Sequence, residues 1–111
     1  MIGYALCGSF CTHKRSVDIL RKLKETGYDI QPILSENAYS TDTHFGTADV
    51  LRGELEDICQ REIIHTIREA EPLGPRVHLE ALVICPCTGN TLAKLAHSIA
   101  DTPVTMAAKS H

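Results

Sequence analysis

No apolar run in the 111 residues approaches the ~20 needed to cross a bilayer, and the first one is already broken at Cys7 and Gly8. The start, Met-Ile-Gly-Tyr, has no basic leader, so nothing there reads as an export signal and a cytoplasmic location is expected. An excess of positive charge is also missing. A formal charge of −3 gives no electrostatic reason to expect nucleic acid or an anionic membrane as partner. Internal repeats and low-complexity segments are absent. So are the G-x-G-x-x-G and G-x-x-x-x-G-K-S/T phosphate signatures.

What remains is an ordinary globular composition, 43% hydrophobic and 23% charged, and a length that fits one domain over 1–111. The five cysteines are odd in number and, without an export signal, are expected as reduced thiols. Cys7, Cys11, Cys85 and Cys87 fall in or beside strand ends. Neither C-x3-C nor C-x-C is a common metal spacing, so buried strand thiols are favoured over zinc or an iron–sulfur cluster.

The most informative stretch is Ala81 to Lys94. Leu82, Val83 and Ile84 meet a proline, then small polar residues, then an apolar pattern of helical period. The spacing predicts a buried parallel strand, a tight loop and a helix start. Thr88, Asn90 and Thr91 place hydroxyl and amide groups where the first helical N–H groups lack partners. Asn90 reads either as a helix cap or as a group aimed at a ligand.

The same unit is expected at the N-terminus. Ile2 to Cys7 is a strand, Gly8-Ser9-Phe10-Cys11-Thr12 a loop, and Lys14 to Thr26 a helix buried through Val17, Ile19, Leu20 and Leu23. Gly8, Ser9 and Thr12 suit a phosphate at a helix start, although Gly8 also reads as a plain turn glycine. His13, Lys14 and Arg15 could attract an anion there. Asp29 to Leu34 is a second strand, placed near a sheet edge by Pro32.

Ser35 to Gly46 lacks a period and reads as a long surface loop. Its His44 is either solvated or faces a dicarboxylate. Thr47 caps a helix with the stripe Ala48, Leu51, Leu55, Ile58 and Cys59. A second or kinked helix carries Ile63, Ile64, Ile67 and Ala70 until Glu71-Pro72-Leu73-Gly74-Pro75 stops it. After the helix of Leu92, Leu95, Ala96 and Ile99, a last strand is expected from Val104 to Ala107. His65 and His97 are expected at the surface or its boundary. Strand–helix alternation implies an α/β, doubly wound and mostly parallel sheet, with the loops after strands 1 and 3 meeting at its carboxyl edge.

Pro86-Cys87-Thr88-Gly89-Asn90-Thr91 resembles the P-x-S/T-x-N-T segment of the flavoprotein superfamily, which includes flavin-dependent cysteine decarboxylases and flavin prenyltransferases. Leu6 to Thr12, Ser40 to Gly46, Glu71 to Pro75 and Ala107-Ala108-Lys109 resemble one family within it, the B subunits of bacterial dipicolinate synthases. That resemblance implies a Rossmann-like, three-layer flavoprotein-like fold and a part in oxidising a dihydrodipicolinate-derived precursor during sporulation. As partner it implies the nicotinamide-binding (NADP) A subunit of dipicolinate synthase. It further implies a small dicarboxylate substrate, FMN as a possible cofactor, and a homo-oligomer.

By position, the resemblance assigns the cofactor side to Gly8, Ser9, Thr12, Ser35, Thr88, Asn90 and Thr91. It assigns no catalytic residue and no metal. The decarboxylases carry His-Ile-x-Leu well before P-x-S/T-x-N-T, whereas His78-Leu79 lies eight residues ahead of Pro86. His78 therefore receives no catalytic role, and decarboxylation is disfavoured. Family chains run on past this end, so the sequence is expected to be the N-terminal part of a longer protein. A scaffold with a degenerate cleft is the alternative to an oxidoreductase component.

Overall fold

The computed structural model describes residues 1–111. Three parallel strands, β1 (Ile2–Leu6), β2 (Ile30–Leu34) and β3 (Ala81–Ile84), form a sheet in the order β2-β1-β3. Period-2 alternation divides β1 between two cores. Tyr4 and Leu6 pack with Val17, Leu20, Leu55 and Cys59 on one face, while Ala5 and Cys7 pack with Ile33, Ala70, Val104 and Ala107 on the other. Helices α1 (His13–Glu25), α2 (Glu36–Ser40) and α3 (Ala48–Cys59) supply the first face. Helices α4 (Ile67–Ala70) and α6 (Pro103–Ser110) supply the second. The doubly wound three-layer arrangement expected from the sequence is present.

Pro32 sits on an edge strand, as expected. Pro32 O accepts from Ile64 N–H at 3.0 Å and Leu34 N–H donates to Ile64 O at 2.9 Å. The backbone of Pro32 therefore points away from β1, where the missing N–H costs no ladder bond. Gly27 ends α1 with φ +97°, the left-handed conformation that its lack of a Cβ permits.

Several expectations need correction. The loop from Ser35 contains α2, nucleated by the Ser35 side chain accepting from Ala38 N–H at 3.2 Å. The segment around Ile63 and Ile64 is not helical. Gln60 adopts the left-handed conformation and stops α3, Ile64 runs beside β2, and a Thr66–Glu69 capping box opens α4 afterwards.

Val104 to Ala107 lies within α6, not in a strand. Thr102 and Thr105 form a reciprocal capping box and Pro103 sits at the first turn, signals that outweigh the β-branched pair Val104-Thr105. Strand β3 is only half-buried: Val83 is 37% exposed because no strand pairs with its outer edge. On α1, Ile19 is 43% exposed and the buried residues are His13, Ser16, Val17 and Leu20. Helix α5 (Gly89–Ala96) buries Thr91 and leaves Leu92 63% exposed, while Ile99 lies beyond its end.

Candidate functional site

Because β1 and β3 are adjacent and parallel, the loops that leave them emerge at one rim. Cys7 N–H donates to the Pro86 carbonyl at 3.0 Å, so the two exits are bonded directly. A second tie runs through side chains. Thr88 Oγ donates to Thr91 Oγ at 2.9 Å, and Thr91 Oγ donates to the buried Cys7 Sγ at 3.3 Å. Ser35 joins the rim from β2, its N–H donating to Leu6 O at 3.0 Å.

Gly8, Ser9, Ser35, Thr88, Asn90 and Thr91 thus lie on loops or helix starts at one sheet edge, and Thr12 stands further out, exposed. Their polar groups divide into two sets. Ser35 and Thr88 cap α2 and α5, accepting from Ala38 and Thr91 N–H groups. Thr12 donates to Ser9 O at 2.7 Å. Thr91 is committed to Cys7. The Ser9 hydroxyl and the exposed Asn90 amide remain for a ligand, beside the first N–H groups of α5. None of these residues is charged, and the donors they offer fit the phosphate of a mononucleotide.

His13 corrects an expectation. It is buried, 9% exposed, and its Nε2 lies 2.6 Å from Cys7 O, so it serves the rim from below and is no surface anion attractor. Tyr4 and Ser16 complete a polar network beneath β3, with Ser16 Oγ donating to the Cys85 carbonyl. Burial, with the nearby Cys85 thiol adding to it, pushes the Tyr4 phenol up to about 12, against the opposing Ser16 hydrogen bond. Sequence reasoning missed Tyr4 and Ser16 and gave His13 a different role. The signal was present: His13, Ser16, Val17 and Leu20 fall at i, i+3, i+4 and i+7, the spacing of one buried helix face.

All five cysteines are free thiols. Burial, and then the nearby Cys7, raise the Cys87 thiol above its usual range. No three His, Cys, Asp or Glu side chains come together in a way that could hold a metal. His44 is exposed against the Phe45 ring, with centroids 4.0 Å apart.

A groove of about 270 Å³ lies elsewhere, between α1, the end of α2 and the start of α3. Phe10, His13, Lys14, Asp18, Phe45 and Glu54 are among its walls, and none of the seven expected cofactor residues is. The seven expected residues stand outside this groove, at the rim that the hydrogen bonds organise, and His13 borders both.

A family model described as Flavoprotein matches residues 1–111. The chain is 40% identical over 109 residues to the B subunit of dipicolinate synthase of Bacillus subtilis (strain 168), covering 98% of this chain and 54% of that protein. It is 29% identical over 105 residues to the coenzyme A biosynthesis bifunctional protein CoaBC of Borreliella burgdorferi, covering 90% of this chain and 25% of that protein. Among solved structures, the B subunit of dipicolinate synthase from Bacillus halodurans C superposes with a TM-score of 0.84 at 34% identity, over 98% of this chain and 56% of that one. The FMN-dependent cysteine decarboxylase SpaF gives 0.77 at 22% identity, over 98% of this chain and 61% of that one, a likeness of fold alone. The chain spans about half the length of the Bacillus subtilis protein it matches.

Proposed function

This chain belongs to the flavoprotein family, and from that premise we propose that it acts within the B subunit of a cytoplasmic, oligomeric dipicolinate synthase. On this reading the two-loop rim binds FMN or the heterocyclic dicarboxylate itself. A dihydrodipicolinate-derived precursor is then oxidised during sporulation together with an NADP-binding A subunit. Flavin, when bound, would supply a ring that accepts a hydride. Ser9, Asn90 and the first amides of α5 would hold its phosphate, while Thr12, Ser35, Thr88 and Thr91 shape the loops that present them. The observation that supports this most is the direct bonding of the two loops, which brings the uncharged donors of Ser9 and Asn90 to one edge.

A second reading, a non-catalytic scaffold with a degenerate cleft, draws on the commitment of four of the seven residues, through their side chains, to caps and ties. Dipicolinate formation by the full-length protein together with its A subunit separates the two. Replacing Asn90 by Ala should lower the rate about tenfold, the loss of one ligand hydrogen bond. Undiminished product formation would favour the scaffold.

A further inference from the structure

The Cys7 and Cys85 carbonyls lie just past the last ladder positions of their strands, and both are held by the same helix. Residues of the adjacent β-unit hold the amides: Cys7 N–H donates to Pro86 O at 3.0 Å, and Cys85 N–H donates to Ala5 O at 2.8 Å. The carbonyls go to α1. His13 Nε2 lies 2.6 Å from Cys7 O. A carbonyl only accepts, so Nε2 carries the hydrogen. Ser16 Oγ donates to Cys85 O, and the Tyr4 hydroxyl hydrogen is shared between Ser16 O at 2.9 Å and Ser16 Oγ at 3.0 Å.

His13 and Ser16 are three residues apart, so they share one side of the helix. Both are buried, at 9% and 2% exposure. Apolar side chains would fill these positions without a desolvation cost. The polar groups present here spend their hydrogen bonds on rim carbonyls and on Tyr4.

We propose that His13 and Ser16 are positioning residues for the two-loop rim. By gripping both strand ends from one rigid helix they set the Gly8-Ser9 loop against the Thr88–Asn90 loop. That a ligand sits between the loops rests on the function proposed above; the grip itself does not.

The test uses the full-length protein and the variants Ser16→Ala, His13→Leu and His13→Gln, with FMN as the probe. Amide hydrogen exchange reads the grip without any ligand. In Ser16→Ala and His13→Leu the amides of Cys7, Cys85 and Thr91 should exchange about tenfold faster, with Leu20 and Leu34 unchanged. His13→Gln, whose amide N–H reaches the same carbonyl, should restore the native rates. The Kd for FMN should follow the same order.

Uniform acceleration that includes Leu20 and Leu34 would overturn the proposal, as would failure of glutamine to rescue. Should Ser16→Ala not fold, the His13 pair decides alone. If the unaltered protein binds no FMN, the flavin-binding form of the proposed function fails, and the exchange rates still decide the grip.

Discussion

Replacing Thr102 tests the element that the sequence misrepresents. Thr102 Oγ accepts from Thr105 N–H at 3.0 Å, Thr105 Oγ accepts from Thr102 N–H at 3.0 Å, and the two hydroxyls lie 2.7 Å apart. Thr102→Ala removes the cap and one partner of the buried Thr105 hydroxyl, a loss of about 1.5 kcal/mol on the usual scale of N-caps. For a domain of this size the melting temperature should fall by about 6 °C. Thr102→Ser keeps the acceptor and should stay within about 0.5 kcal/mol of the starting protein. Urea unfolding followed by circular dichroism, with an unchanged m-value, measures both. A strand from Val104 to Ala107 would lack this dependence on a cap hydroxyl. Equal losses for serine and alanine, or no loss for alanine, would refute the capped helix.

Two further outcomes follow from buried titrating groups. The Tyr4 phenol is raised from 10.0 to about 12, chiefly by burial. The neutral form is favoured in the folded state, so the stabilisation is complete below pH 10 and is lost as pH rises toward 12, by roughly 2 kcal/mol. Urea midpoints across that range should fall less steeply in Tyr4→Phe, and an identical slope would sink the assignment. Among the thiols, exposed Cys11 should be alkylated first and Cys59 last, because Cys59 is 1% exposed and burial pushes its thiol to about 11. Mass spectrometry of the native protein checks this order, and equal rates for the two would contradict it.

The parts of the fold legible in the sequence are those where local chemistry and tertiary packing agree. Pro32 marked an edge strand because a missing donor has few other places to go. Thr47 and Thr88 marked helix starts because each precedes an apolar helical period. Val104-Thr105 misled because β-branched residues suggest a strand when read without the cap before them. Helix α2 was hidden by its length: five residues carry no measurable period, and only the Ser35 cap announces it. At the rim, convergence of the two loops could be inferred from parallel order alone. The division of labour among the hydroxyls could not, since a threonine at a helix start looks the same whether it serves a ligand or an amide. His13 is not legible as buried because an apolar stripe through Val17 and Leu20 says nothing of the polar residues that extend it. Of the strand-end carbonyls that His13 and Ser16 meet, that of Cys85 lies far off in the sequence.

Charge separates the two concave features of this surface. The groove between α1 and α3 holds Lys14, Asp18 and Glu54, and Glu54 is already paired with Arg21 at 2.9 Å. The start of α3 is also taken, since Asp42 accepts from Ala48 N–H at 2.8 Å. A dicarboxylate entering there would meet two carboxylates and a helix terminus that is already satisfied. The rim has no acidic side chain among its seven expected residues and keeps the Ser9 hydroxyl, the Asn90 amide and the first amides of α5. On the proposed function, an anionic ligand is therefore better matched by the rim than by the groove. Under that proposal, the placement of the neutral donors depends on the hydrogen bonds beneath the two loops.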